Sequence, residues 1–143
     1  MSSKSLYLDN RNHYREQIKI SNDIDALNKL EKGYERWKKY SDQWIELDLD
    51  EYVNKLFLNP RYHNEGQKFI IDSDESNYII YCDNSCSYFR IGDKNYPTSD
   101  RRHYLDKDLK HPLNEIVNGK QRGMSREDRE KITHFKMKRK KEG

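Results

Sequence analysis

The chain is poor in the residues that define loop-rich or cross-linked scaffolds: three prolines, six glycines and two cysteines in 143 residues. Two cysteines cannot supply the framework of a disulfide-dense secreted module. Cys82 and Cys86 flank Asp83-Asn84-Ser85, a short turn across which two thiols can come close enough to bridge; two reduced thiols fit the same spacing. Nor do they make a zinc site, because His13, His63, His103, His111 and His134 form no ligand pattern with them. No metal and no cofactor is expected.

Apolar residues are also scarce, at 33% of the chain with a mean hydropathy of -1.30. No stretch of about 18 apolar residues occurs, so no segment reads as a membrane span. Met1-Ser2-Ser3-Lys4 leads into no apolar signal core, and export would be expected to rest on sequence outside this chain. Such a composition leans toward disorder. Eleven tyrosines, four phenylalanines and two tryptophans oppose that, since each ring buries a large area while a polar tip can stay wet. The expectation is one folded domain, 1–143, with a small aromatic core.

Charge is distributed unevenly along this domain. Gly119 to Gly143 holds ten basic residues against four acidic ones, which leaves the rest of the chain net acidic under an overall charge of +3. The basic end, including the tail 136–143, suits a polyanion such as nucleic acid; a merely solvated tail has the same composition.

Periodicity divides the chain into a helical front, about 1–60, and a strand-rich part, about 66–135. Ile24, Leu27, Leu30, Tyr34, Trp37 and Trp44 form one helical stripe with Asn22 or Asp23 as N-cap. Gly33 weakens it locally and leaves open a division into two helices. A second helix is predicted from Asp48 to Asn59, where Leu49, Tyr52, Val53, Leu56 and Phe57 share a face, Asp48 caps and Pro60 terminates. The period then changes. Phe69-Ile70-Ile71, Tyr78 to Tyr81, Ser87 to Ile91 and His103-Tyr104-Leu105 read as short strands of an antiparallel meander. Ser125 reads as the N-cap of a last short helix ending near Ile132. Helices followed by a small antiparallel sheet make an α+β fold.

Two regions hold side chains suited to phosphodiester chemistry. If Phe89 and Ile91 face the core, Tyr88, Arg90 and Gly92 face the other way, and an arginine projecting from a sheet can grip a phosphate bidentately. A surface pairing of Arg90 with Asp93 or Asp106 is the alternative. In Thr133-His134-Phe135 an imidazole lies beside a hydroxyl and close to cations. Imidazole can take a proton from a ribose 2′-hydroxyl, cations can stabilise the phosphorane, and Thr133 can bond one of its oxygens. A structural histidine is the competing assignment. Between them, Arg101, Arg102 and His103 could wall a phosphate site, with Tyr104 or Tyr96 stacking a base.

Tyr88-Phe89-Arg90-Ile91-Gly92-Asp93, then Arg102-His103-Tyr104-Leu105-Asp106, then Asn118 to Ser125, and finally Thr133-His134-Phe135 occur here in one order. That order resembles the C-terminal toxin domains of bacterial polymorphic toxins, including those of contact-dependent growth inhibition proteins. The resemblance covers roughly Gly66 to Phe135 and leaves out the helical front. It departs at Asp106-Lys107-Asp108, where the pattern has a glycine, and at Gly123-Met124-Ser125, where it has an arginine. The resemblance implies N-terminal helices packed on a twisted antiparallel sheet and a ribonuclease, often a tRNase, of the barnase and colicin class. It also implies a cognate immunity protein and delivery from the cell surface as part of a larger protein. On this basis the catalytic candidates are Arg90, Arg102, Thr133 and His134, and the substrate-binding candidates Lys120, Arg101, His103, Arg122 and Tyr104. A DNase toxin would normally want metal ligands. A non-catalytic RNA-binding module would use the same basic tail and tyrosines, whereas an immunity protein would be expected to be acidic.

Overall fold

The computed structural model describes residues 2–138. The chain is α+β. Two N-terminal helices, α1 (Ser3–Ser21) and α2 (Ile24–Tyr40), lead through a single 3-10 turn (Ser41–Gln43) into strand β1 (Ile45–Leu47) and helix α3 (Leu49–Leu56). Strands β2 (Arg61–Glu65), β3 (Lys68–Asp72), β4 (Tyr78–Asp83) and β5 (Tyr88–Asp93) follow as successive hairpins. A separate hairpin, β6 (Asn114–Val117) with β7 (Lys120–Gly123), precedes helix α4 (Arg126–Thr133) and the closing strand β8 (Phe135–Met137). The main sheet has the order β1-β8-β5-β4-β3-β2.

That sheet is mixed rather than purely antiparallel, because β1 runs parallel to β8 with Ile45 opposite Phe135. Both edge partners are three residues long, and β8 is hidden in the sequence by the lysines around it. The expected strand at His103-Tyr104-Leu105 is reduced to one bridge between Gly92 and Tyr104. Helix α1, β2 and the β6–β7 hairpin carry polar sequences whose pattern gave no signal.

Capping and burial explain the local elements. Asp48 accepts from the Glu51 N–H and Ser125 from that of Asp128, as their positions ahead of acidic first turns suggest. Leu49 and Val53 are buried with Tyr52 and Leu56 packed beside them, so the α3 stripe is used as read. The α2 stripe is only half used. Ile24 and Tyr34 are exposed, Leu27 and Leu30 are half-buried, and Trp44 leaves the helix for the extended segment before β1. Gly33 does not break α2; it is buried where the β4–β5 turn approaches, and a side chain there would run into Ser85.

The alternation of β5 holds. Phe89 and Ile91 enter the main core with Phe69, Ile71, Ile80, Phe135, Leu49 and Tyr7, under α1 and α3. Arg90 lies on the opposite face beside Tyr81 of β4. Helix α1 clamps the β4–β5 turn: Tyr7 donates to the carbonyls of Asp83 and Cys86, Arg15 to those of Asn84 and Ser85, and Arg11 to the Ser87 hydroxyl. Inside the turn Asp83 accepts from the backbone of Ser85 and Cys86 and from the Tyr88 hydroxyl. Cys82 and Cys86 are unbridged and both buried.

Gly92 governs how the loop after β5 returns to the sheet. A Cβ there would lie 2.5 Å from His103 Nε2 and 2.9 Å from Ile79 Cγ2. Gly92→Ala is therefore expected to destabilise the fold by about 1–3 kcal/mol through overpacking, read as a lowered urea midpoint. An unchanged midpoint would mean that the 94–104 loop is not anchored by this contact.

Candidate functional site

The C-terminus of α4 organises the site. The last carbonyls of a helix lack intrahelical donors, and here His134 takes one of them, while Thr133 bonds back one turn along the helix. The Thr133 hydroxyl donates to the Arg129 carbonyl at 2.8 Å, and His134 Nδ1 donates to that of Glu130 at 2.7 Å. Arg90 reaches across from β5: its Nε donates to the Thr133 carbonyl at 3.3 Å and Nη2 to the Thr133 hydroxyl oxygen at 3.1 Å. A guanidinium at a helix C-terminus also meets the negative end of the helix dipole. The guanidinium carbon lies 3.5 Å from the Tyr104 ring centroid, a close cation–π stack. Nη1 has no acceptor, and no carboxylate lies within ion-pair distance of Arg90, among the described residues. Asp93, its alternative partner by sequence, bonds His111 instead.

His134 is buried at 3% exposure. Its ring stacks on Trp44 with centroids 4.8 Å apart and touches Tyr88, which in turn packs on Trp37. Because Nδ1 carries the proton given to the Glu130 carbonyl, Nε2 is left as the acceptor, and it has no protein partner among the described residues. Burial, with Arg90, Arg36 and Lys68 nearby, pushes this imidazole from 6.5 down to about 3. It is neutral at physiological pH. Lys68 is itself pushed down by burial and by Arg90, and its ammonium lies over the Tyr81 ring. The same face thus concentrates cations, with Glu130, Asp83 and Glu65 offsetting them in part.

Two hollows meet at Arg90, Arg126 and Glu130. The smaller, about 310 Å³, is lined further by Thr133, Tyr104, Arg101, Arg129 and the Thr98–Asp100 turn. The larger, about 820 Å³, is lined further by His134, Trp44, Tyr40, Gln43, Arg36 and Lys39. Arg126, Arg129, Glu130 and Thr133 lie at i, i+3, i+4 and i+7 of α4, so one helix face reaches the cleft. That spacing was legible in the sequence but carried no partner to give it meaning. Arg36 and Lys39, contributed by α2, had no such signal.

The structure brings Arg90, Thr133, His134, Tyr104 and Arg101 to this cleft and leaves the other candidates out. Arg102 grips Asp100 through Nε at 3.0 Å and Nη2 at 2.7 Å and covers Tyr96. His103 is buried; its Nδ1 donates to the Tyr96 carbonyl and its Nε2 accepts from the Tyr81 hydroxyl, so it ties the loop to β4. Arg122 pairs with Glu115 across the β6–β7 hairpin, and Lys120 is exposed on β7. The tail residues 139–143 lie outside the described residues; Lys136 and Lys138 are within them. Among the described residues no cluster of three or more His, Cys, Asp or Glu side chains could hold a metal ion, and no helix is long and apolar enough to cross a membrane.

A histidine neutral in the fold and protonated in the unfolded chain makes stability fall with pH. The unfolded chain takes up the proton below 6.5, and the folded one only near 3, so the loss from this residue approaches about 1.4 kcal/mol per pH unit within that window. Denaturant titrations from neutrality to about pH 5 should show a steeper loss for the wild type than for His134→Gln. Equal slopes would mean that the imidazole is solvated and titrates normally.

The chain matches no protein-family model, no curated protein and no solved structure.

Proposed function

We propose that this chain is a toxin ribonuclease that cleaves RNA by attack of the ribose 2′-hydroxyl on the adjacent phosphate. The observation that carries the reading is Arg90: a largely desolvated guanidinium in no ion pair among the described residues, lining one cleft with the buried His134, where Arg and Lys side chains outnumber the carboxylates of Asp100, Glu127 and Glu130. Such a charge lacks a counter-ion that a phosphate supplies.

In this mechanism the scissile phosphate occupies the junction of the two hollows, against Arg90 Nη1. Thr133 acts as a positioning residue, because its own proton is committed to the Arg129 carbonyl and its oxygen holds Arg90. The bound anion offsets the cations around His134 and so raises the basicity of Nε2. Nε2 then takes the proton of the 2′-hydroxyl, whose oxygen bonds to phosphorus. Arg90, with Arg126 and Arg129 at the rim, stabilises the charge gathering on the phosphorane oxygens. The imidazolium formed gives its proton to the 5′-oxygen as the bond from phosphorus to that oxygen breaks. The products are a 2′,3′-cyclic phosphate and a free 5′-hydroxyl, and no step needs a metal. The resemblance to polymorphic-toxin domains adds that the substrate is a tRNA, that a cognate immunity protein covers the cleft, and that the domain is delivered to a target cell by a larger protein.

Purified chain incubated with total RNA should produce discrete fragments ending in cyclic phosphate, undiminished by EDTA. His134→Ala and Arg90→Ala should each lower the rate by at least about a hundredfold, while Thr133→Ser keeps most of it. Cleavage of DNA but not RNA would replace the reading by a DNase. RNA retained on the protein without cleavage would make it a binding module.

A further inference from the structure

The larger hollow is not needed to hold a phosphate, and its lining is of a different kind from that of the smaller one. Tyr40 is one of the few large hydrophobic side chains left exposed, at 39%, and it stands on this hollow at the end of α2. Next to it is Gln43, in the 3-10 turn, whose side-chain amide makes no hydrogen bond within the described residues. Trp44 and the His134 ring stacked on it close the inner wall. An exposed ring, a donor–acceptor amide and about 820 Å³ of space suit a planar heterocycle with polar edges.

Tyr104, the other tyrosine on the cleft, has Arg90 tightly against one face at 3.5 Å, whereas Tyr40 has the Lys39 ammonium over its ring at the longer distance of 5.2 Å. The smaller hollow instead offers Thr98, Ser99, Arg101 and Arg129, hydroxyls and cations suited to a phosphate, with Asp100 and the shared Glu130 as its carboxylates. The cleft is therefore asymmetric about Arg90: the exposed ring and the amide lie on the larger side, with Arg36, Lys39, Lys131 and Glu127, and the hydroxyls lie on the smaller side, with Arg101, Arg129 and Asp100.

We infer that the Tyr40–Gln43 hollow is a nucleobase site that takes one unstacked base next to the scissile phosphate, and that the Ser99–Arg101 side takes the following phosphate. This rests on the ribonuclease reading and adds the substrate class: single-stranded or loop RNA with a base free to leave its stack. A duplex, whose bases remain stacked, cannot fill the hollow.

The test is a fluorescence titration of the full chain, in which Trp44 reports on the hollow, with the four ribonucleoside 5′-monophosphates, ribose 5-phosphate and inorganic phosphate. At least one nucleotide should bind about tenfold or more tightly than ribose 5-phosphate, as one stacked base would give. Tyr40→Ala and Gln43→Ala should remove that preference without changing the affinity for ribose 5-phosphate, and Tyr40→Phe should keep it. Nucleotides that bind no better than ribose 5-phosphate, or not at all, overturn the base site. RNA cleavage measured in parallel separates the two ideas. Base preference without cleavage leaves the site standing and removes the ribonuclease, whereas cleavage without base preference removes the base site alone.

Discussion

A guanidinium on the face of a sheet, in no ion pair among the described residues and with Glu130 as the carboxylate acting on it from across the cleft, is the constraint on which the rest of the site depends. Desolvation lowers the pKa of Arg90, against the field of Glu130, and no carboxylate among the described residues forms an ion pair with it. The fold tolerates this by giving the group every weaker partner available: two oxygens of Thr133, the face of Tyr104 and the end of the α4 dipole. Hydrogen bonds to neutral acceptors and a cation–π contact hold a cation in place but leave its charge uncompensated. The result is a fixed positive centre that lines both hollows of the cleft.

His134 responds to that centre. Its burial between Trp44 and Tyr88 and its exposure to the field of Arg90, Arg36 and Lys68 act in the same direction, and both keep the imidazole neutral. The Glu130 carbonyl fixes the tautomer, so the lone pair is on Nε2. A base held this far below its ordinary pKa is weak until an anion reaches the cleft. On the proposed reading, substrate binding and activation of the base are one electrostatic event. The framework serves this arrangement at a distance. Helix α1 holds the β4–β5 turn through Tyr7, Arg11 and Arg15, and β8 is pinned between β1 and β5 immediately after His134.

Much of this was legible in the sequence where the information is local. Alternation along Tyr88 to Gly92 put Arg90 on the face opposite Phe89 and Ile91, the capping residues Asp48 and Ser125 were visible, and Thr133-His134 stood out beside cations. What failed was the partner of each arginine. Arg90, Arg102 and Arg122 look alike as letters, but Arg102 is neutralised by Asp100 two residues away and Arg122 by Glu115 across a hairpin that polar residues concealed. Arg36 reaches the site only because α2 packs over the 83–86 turn through Gly33, a long-range contact with no sequence period. The stripe on α2 predicted burial for Ile24 and Tyr34, yet the helix has too little sheet beneath it to cover them.

The most direct test of this account is the ionisation of His134, followed by long-range nitrogen–proton NMR of its imidazole as pH is varied, with and without inorganic phosphate. The account predicts a neutral ring with its proton on Nδ1 down to about pH 4 in the free protein, titrating near 3, and a pKa that rises when phosphate binds. A ring that titrates near 6.5 in the free protein, or one whose pKa ignores the anion, would contradict it.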